Sequence, residues 1–310
     1  MSPPRRHLDL FAVSILLILC VGWGFQQIAI KLAANDIAPT LQIGLRSAFA
    51  ASVLWLLMLR REGLGMFSDG TLKAGLLAGL MFGVEFLFVG EGLVHTSASH
   101  MVVFLYTSPI FTALGMHFIH PDERLSRLQW LGIVLAFVGV CIAFLGAGKS
   151  EGTSLLGDAY ALAAGAVWGF TTVVIRGSKL SEAPAVKTLF YQMAMAALLL
   201  ISAAFLMGNG QMNWTAETTV NLALQAVLIA LASYLTWFWL LKRYLASRMA
   251  TFVFITPLMG VVFGVLILDE KLTAHFVGGG LLVLCGIFLV SAKDLLNRRK
   301  ARRVNEALDS

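Results

Sequence analysis

Apolar stretches of about 20 or more residues recur along this chain of 310 residues, from Leu10 to Ala292, with short polar breaks between them. A helix needs about 20 apolar residues to cross the hydrocarbon core of a bilayer. Charged residues make up only 13% of the chain, against about 25% in a typical soluble domain. The sequence therefore predicts an all-α integral membrane protein and excludes an ordinary soluble globule.

A window of about 20 residues divides the apolar stretches into individual membrane spans. Ten transmembrane helices are predicted, near residues 10–32, 39–59, 72–94, 97–119, 126–146, 155–178, 186–207, 218–242, 247–268 and 273–293.

The basic residues indicate how these spans are oriented. Of the 23 Lys and Arg residues, 19 lie in or beside alternate connections, starting with the N-terminal segment. Arg46 lies inside the second predicted span, and Lys31, Lys149 and Lys271 lie on the other side. Because cytoplasmic loops retain Lys and Arg, both termini are predicted to be cytoplasmic. The same distribution explains the net charge of +6 without a nucleic-acid partner.

Two sets of residues occur twice in the chain, in the same order and with nearly the same spacing. An offset of 145 relates Trp23, Gly24, Phe25, Lys31 and Pro39 to Trp168, Gly169, Phe170, Arg176 and Pro184, and an offset of 148 relates Pro109 to Pro257. Five spans per repeat is an odd number, so the second repeat must cross the membrane in the opposite direction. We therefore predict two inverted five-helix repeats, residues 1–148 and 149–296, followed by a basic cytoplasmic tail, residues 297–310.

An inverted repeat supplies two conformations of similar energy, one open to each side of the membrane, which is what alternating access requires. A transporter is accordingly the first hypothesis, and a channel is the alternative that saturable counterflow would exclude. The sequence contains no HExxH, GxSxG or Walker motif. An enzyme hypothesis would require Glu85 or Glu91 to act with His95 on a membrane lipid.

Several segments also resemble a known family. They are WGFQQIAIK followed by Pro39 and Arg46, then HTSASHMVVFLYTSPIFTALG, DERLSRLQWLG and DEKLTAHFVGG. The chain is similar over nearly its whole length to the paired EamA-type domains of the drug/metabolite transporter superfamily, and most similar within it to YddG-type aromatic amino-acid exporters. The resemblance implies export of amino acids across a bacterial inner membrane. Other metabolites or drugs are the alternative, because related members transport very different solutes.

A substrate site in such a repeat is expected near the membrane midplane, between the halves. Counting about 1.5 Å per residue along each helix places two of the seven tryptophans, Trp23 and Trp168, at that depth. Trp237 and Trp239 fall near the cytoplasmic end of their span, as an aromatic belt would require. The two central indoles either stack on a substrate or pack beside Gly24 and Gly169. Four further polar residues at similar depth either contact substrate or join helices: Gln26, Gln27, Gln42 and Tyr106.

Three charged residues lie inside predicted spans, where such groups should face the protein interior. Arg46 is about 10 Å from the end of its span, and Glu85 and Glu91 lie in the outer half of the third span. One hypothesis pairs Arg46 with one of the two carboxylates. The other has Arg46 attract a substrate carboxylate or has Glu85 bind a proton.

Pro109 and Pro257 are predicted to bend the fourth and ninth spans, because proline removes a backbone hydrogen bond and clashes with the preceding turn. Both are hinge candidates. No cofactor and no metal site are predicted, since the pair His117 and His120 lacks a third ligand nearby. The expected partners are a small-molecule substrate and the lipid bilayer, and the sequence leaves the oligomeric state open.

Overall fold

The first half of the chain forms six helices in the computed structural model, which describes residues 8–62, 67–119, 124–145, 152–244, 249 and 252–308. They are α1 (Leu10–Leu32), α2 (Pro39–Glu62), α3 (Leu72–His95), α4 (Ala98–Leu105), α5 (Ser108–Ile119) and α6 (Arg127–Phe144).

The second half begins with α7 (Leu155–Arg176), a short 3₁₀ helix (Lys179–Ser181) and α8 (Ala185–Leu206). The eighth span follows as three joined segments, α9 (Ala216–Leu224), a π helix (Gln225–Ser233) and α10 (Tyr234–Arg243). The last two helices are α11 (Ile255–Leu268) and α12 (Ala274–Leu308).

These helices match the predicted all-α membrane fold. Within the described ranges, nine helical stretches are long and apolar enough to cross a membrane, and α4 and α5 count as one of them. The ninth predicted span is represented by α11, which has 14 residues and begins after a turn at Phe254; most of residues 247–251 lies outside the described residues. The backbone of α12 continues as helix through the predicted basic tail to Leu308.

Polar side chains start several helices where the sequence changes from polar to apolar. Ser126 accepts from the backbone N–H of Gln129, and the Gln129 side chain accepts from the backbone N–H of Ser126, which forms a capping box at the start of α6. Ser97 and Ser154 accept corresponding bonds at the starts of α4 and α7. Such caps satisfy N–H groups that lack partners inside the helix.

Glycines bring the last helix of each repeat into backbone contact. A Cβ at Gly132 in α6 would lie 2.7 Å from the carbonyl oxygen of Gly286 in α12, and one at Gly139 would lie 2.6 Å from that of Gly279. The order is reversed along the two helices, so they run antiparallel. Small residues at such positions let membrane helices approach closely, and this contact joins the two halves.

The repeated Trp-Gly-Phe segments occupy equivalent places in the two halves. A Cβ at Gly24 would lie 3.0 Å from the carbonyl oxygen of Thr256, the residue before Pro257. A Cβ at Gly169 would lie 2.7 Å from the carbonyl oxygen of Ser108, the residue before Pro109. Each half therefore places the first helix of its repeat against the proline-containing span of the other half.

The ends of the helices define two sides of the bundle. We call the side that holds Leu10, Glu62 and Arg176 the basic side, where Tyr244 donates a hydrogen bond to Asp9. The opposite side holds the other ends of the same helices.

Candidate substrate-binding cavity

A cavity of about 360 Å³ lies between the two halves, in the middle of the bundle. Both repeats contribute to its wall, with α1, α3 and the junction of α4 and α5 from the first, and α7, α8 and α10 from the second. The lining residues are Trp23, Gln26, Gln27, Phe82, Glu85, Phe86, Leu105, Tyr106, Trp168, Thr171, Thr172, Ile175, Gln192, Tyr234, Trp237 and Val253. Its volume is in the range of sites for small molecules.

Aromatic rings form two groups in the cavity wall. Trp23 lies beside Tyr234 and Trp237, with ring centroids 6.2 Å and 5.5 Å apart, and its indole N–H donates to the hydroxyl of Ser233 at 2.9 Å. Trp168 meets Tyr106 edge to face at 5.4 Å. These separations are typical of favourable aromatic pairs, so the rings are held in place before any ligand enters.

Three of the predicted polar residues face this cavity together with the aromatic rings. Gln26, Gln27 and Glu85 are all buried, with exposed fractions of 6%, 1% and 3%. Within the part of the chain that the structure describes, Oε1 of Gln27 and Oε2 of Glu85 have no hydrogen-bond partner. Unsatisfied buried polar atoms are rare in proteins, so these two groups are free to bind a polar ligand.

Gln42, by contrast, does not line the cavity. Its side-chain amide donates to the carbonyl oxygens of Ile30 and Ile37, at 3.1 and 2.7 Å, and accepts from Gln225 at 3.0 Å. Both the donor and the acceptor end of the amide are therefore used in bonds that join α1, α2 and the π helix. In this structure Gln42 joins helices, and the alternative role in substrate contact stays a prediction.

Arg46 also lies outside the cavity lining, and it pairs with neither carboxylate. Its Nη1 donates to Oε1 of Gln225 at 3.1 Å, and its guanidinium lies 5.4 Å from the centre of the Phe86 ring. Glu91 accepts a hydrogen bond from the hydroxyl of Thr40 at 2.6 Å. The expected salt bridge between Arg46 and Glu85 or Glu91 is therefore replaced by a bond to an amide and a cation–π contact.

The helical structure is interrupted by a turn just before each hinge candidate. Helix α4 ends at Leu105, Tyr106 and Thr107 form a turn, and Pro109 is the second residue of α5. In the second half, the turn residue Phe254 precedes α11, in which Pro257 is the third residue. Proline is tolerated in the first turn of a helix, where its missing N–H would have no partner. The hinge role itself stays a prediction.

Hydrogen bonds on the opposite side of the bundle join helices both within the first half and between the two halves. The ammonium of Lys31 donates to the carbonyl oxygen of Thr96 at 2.7 Å, and Asn221 donates to that of Ala29 at 3.0 Å. Asp36 accepts from the side chains of Asn213 and Thr218 at 2.9 and 2.7 Å. These bonds join α1 and its following loop to the third and eighth spans, beyond the deepest cavity residues.

Toward the basic side the cavity continues along the helices. Its lining includes Ile175, one residue before the end of α7, as well as Trp237 in α10 and Val253. The cavity therefore extends toward the basic side, while polar contacts between the halves lie beyond it on the opposite side.

Comparison with known proteins agrees with this two-part architecture. The model of the EamA-like transporter family matches residues 10–145 and again residues 155–292. The chain belongs to the EamA-like transporter family.

Several proteins named as transporters or efflux pumps are similar to this chain over most of their length. The uncharacterized transporter YoaV of Bacillus subtilis is 26% identical, with 89% of this chain and 94% of YoaV covered. Proteins named as probable amino-acid metabolite efflux pumps in Salmonella typhimurium and Escherichia coli are 26% and 25% identical, each with 89% of this chain and 93% of the relative covered. A protein of known crystal structure has the same fold, with a TM-score of 0.62 and 19% identity over 93% of this chain and 97% of the other.

Sequence reasoning missed several wall residues of this EamA-like chain. Trp237 was assigned to the aromatic belt, but it lines the cavity and contacts Trp23. Its spacing of three from Tyr234 puts both on one helical face, and Phe82 and Glu85 are spaced in the same way in the equivalent third span. This spacing of three residues, shared by the two spans, is the sequence signal that could have placed Trp237 in the cavity wall.

Proposed function

We propose that this EamA-like chain is an alternating-access carrier that exports small metabolites across the bacterial inner membrane, with both termini in the cytoplasm. Amino acids, including aromatic ones, are the proposed substrates. The observation that carries the proposal is the central cavity, which both inverted repeats build and which polar bonds close on one side. In the predicted topology the basic side is the cytoplasm, so this conformation would accept a substrate from inside the cell.

The amino-acid part of the proposal has two supports. Two similar proteins bear the name of probable amino-acid metabolite efflux pump. In addition, the cavity combines aromatic rings with buried amide and carboxylate groups, which suits a solute with an apolar side chain and a charged head.

The closed side favours a carrier over a channel. A continuous pore would need an open path on both sides at once, whereas Asn221 and Asp36 make bonds between the halves that must break before a path to the opposite side can open. Preloaded unlabelled substrate should therefore accelerate uptake of labelled substrate, and flux should saturate. Linear flux without counterflow would favour the channel.

The enzyme hypothesis has no assembled site among the described residues. Glu85 lines the cavity, Glu91 binds Thr40, and His95 is exposed at the end of α3. Recovery of the transported solute and of the vesicle lipids in chemically unchanged form would exclude it.

The direct test is uptake by purified protein in lipid vesicles, with a panel of labelled amino acids and with the pH gradient imposed or collapsed. We expect saturable transport of aromatic amino acids that continues without a pH gradient. Trp214→Ala serves as a control variant that should transport like wild type, because that tryptophan is 55% exposed and lies away from the cavity. If folded wild-type protein transports none of the amino acids, the substrate belongs to another class of metabolites or drugs.

A further inference from the structure

The charged groups around the cavity are unevenly distributed. Among the described residues that line it, Glu85 is the only one with a charged side chain. The nearest basic residue by its contacts is Arg46, which touches the ring of Phe86 but is not part of the lining. A ligand in the cavity therefore meets a carboxyl group and no cation.

Glu85 has no ion-pair partner among the described residues. It is 3% exposed, it makes no salt bridge with any described residue, and its Oε2 has no hydrogen-bond partner there. An isolated carboxylate inside a membrane protein is costly. The group must therefore be protonated or be met by a positive charge that enters the cavity.

The surrounding rings favour such a positive charge. Trp23, Tyr106, Trp168 and Tyr234 all line the same cavity, and the negative face of an aromatic ring attracts cations. A substrate carboxylate would find weaker partners. The donors available to it are neutral, chiefly the amide groups of Gln26, Gln27 and Gln192.

We infer that Glu85 binds the protonated amine of the substrate, so that an ammonium group is required for binding and a carboxylate is not. This inference rests on the proposed function, because it assigns the head group recognised in the same cavity. It extends the substrate class from amino acids to the corresponding amines, and it excludes carboxylic acids that lack an amine. Glu85 is then a specificity-determining residue of the carrier.

Three probes that share one ring system separate the two head groups. Tryptophan carries both the amine and the carboxylate, tryptamine carries only the amine, and indole-3-propionate carries only the carboxylate. Each competes with labelled tryptophan for the purified full-length protein in detergent, and labelled tryptamine is also tested directly. We expect tryptamine to bind within a few-fold of tryptophan and indole-3-propionate to bind at least about tenfold more weakly, because a site built around one polar contact rejects the analogue without it.

Glu85→Gln keeps the size of the side chain and removes its charge. We expect it to weaken tryptophan and tryptamine at least about tenfold while indole-3-propionate is unchanged or improved. Glu85→Asp should restore part of the preference for amines. Glu91→Gln is the matched control on the same helix, and the ratio between the three probes should stay at its wild-type value.

The outcomes separate this inference from the proposed function. Equal binding of indole-3-propionate and tryptamine, or an undiminished amine preference in folded Glu85→Gln, would overturn the inference and leave amino-acid transport standing. Binding of tryptamine without any amino acid would uphold the inference and overturn the proposed amino-acid substrates. Binding of neither labelled tryptophan nor labelled tryptamine by folded wild-type protein would overturn both.

Discussion

The third and eighth spans occupy equivalent positions in the two repeats, but they contact their neighbours in different ways. The third span, α3, is one uninterrupted helix that packs along α7 and α8. Its glycines allow this, since a Cβ at Gly79 would overlap the carbonyl oxygen of Tyr191 and one at Gly83 would lie 3.3 Å from the Cα of Ala196. The contact is therefore between backbones.

The eighth span contacts α1 and α2 through aromatic rings at its basic end and through several polar side chains along its length. Gln225 binds Arg46 and Gln42 at the start of the π helix, and Ser233 accepts from Trp23 at its end. A groove of about 580 Å³ with a largely apolar lining runs between α1 and this span, along α9 and the first part of the π helix. Gly22 borders this groove, and a Cβ there would have no atom within 4 Å.

This difference indicates which of the two spans moves. Backbone packing through glycines has one arrangement, whereas a few side-chain hydrogen bonds beside an open groove can be exchanged for others. A π-helical segment also marks places where a helix rearranges at functional sites. We therefore expect α3 to act as a fixed wall and the eighth span to shift when the closed side opens.

The largest expected effect comes from replacing a glycine at the contact between α3 and α8 with a large side chain. Gly79→Leu would force α3 away from α8, because the atom that it meets is backbone and cannot turn aside. Overpacking of this kind costs about 3 kcal/mol or more. We expect folded protein to be lost, as measured by the monodisperse peak in size-exclusion chromatography.

Gly22→Leu is the matched control for this substitution, since it adds the same side chain beside the open groove. It should leave the yield of folded protein unchanged. Equal yields of the two variants would remove the distinction between a tightly packed third span and a loosely held eighth span.

The second prediction concerns the hydrogen bond that attaches the eighth span to α2. Gln225→Leu removes the acceptor of the buried Arg46 guanidinium, whose exposed fraction is 3%. Leaving a buried charged donor without its acceptor costs about 1–3 kcal/mol or more. We expect a lower melting temperature. We also expect faster labelling of a single cysteine introduced on the opposite side of the bundle.

Gln225→Glu should recover most of that stability, because its carboxylate can still accept from Arg46. If Leu and Glu at this position gave the same melting temperature, the bond to Arg46 would have no role in holding the eighth span.

Local patterns in the sequence predicted the helices and a minority of the residues that line the cavity. The length of the apolar stretches predicts the spans, and the count of residues along each span places Trp23 and Trp168 near the midplane. Each of these signals is contained in a window of one helix or in a fixed offset, so no knowledge of packing is needed.

Partners distant in the chain could not be predicted in the same way. Gln225 lies 179 residues from Arg46, and an amide acceptor has no sequence signature that distinguishes it from the carboxylates of Glu85 and Glu91. The face of Trp237 was missed for a different reason. The position of Trp237 near the end of its span places that residue in the aromatic belt by depth, and depth alone does not determine which way a side chain faces.

A third prediction concerns the proline-linked interruptions that the two repeats share. Pro109→Ala and Pro257→Ala each restore a backbone N–H in the first turn of the helix and allow the preceding turn to become helical. We expect a several-fold lower transport rate with little change in binding affinity, measured in vesicles and in detergent. Unchanged yield and unchanged rate in both variants would refute the hinge role and leave a static kink.

The fourth prediction compares the two central tryptophans. Trp168→Ala should weaken apparent affinity for aromatic amino acids several-fold, since an aromatic pair is worth about 0.5–1.5 kcal/mol beyond its buried area. Trp168→Phe should retain most of it. Trp23→Ala should also lower thermal stability, because it removes the bond to Ser233 that holds the eighth span. Retention of aromatic transport by folded Trp168→Ala and Trp168→Phe would exclude that residue from the site.

The smallest expected effect concerns an ion pair on the basic side that fastens the loop before α3 to α8. Hydrogen bonds from Lys187 first and Thr71 second lower the pKa of Asp69 from its ordinary value of 3.8 to about 2. Because the folded-state pKa is the lower one, the stability from this pair is fully present above about pH 4 and is lost as the pH falls toward 2. Asp69 is 44% exposed, so solvent screening limits its contribution to below about 1 kcal/mol. Melting curves should thus show Asp69→Asn slightly less stable than wild type at pH 7, with the gap closing in acid. The exposed Glu182→Gln serves as the control that follows wild type, and a gap that widened in acid would contradict this account of how α3 is held.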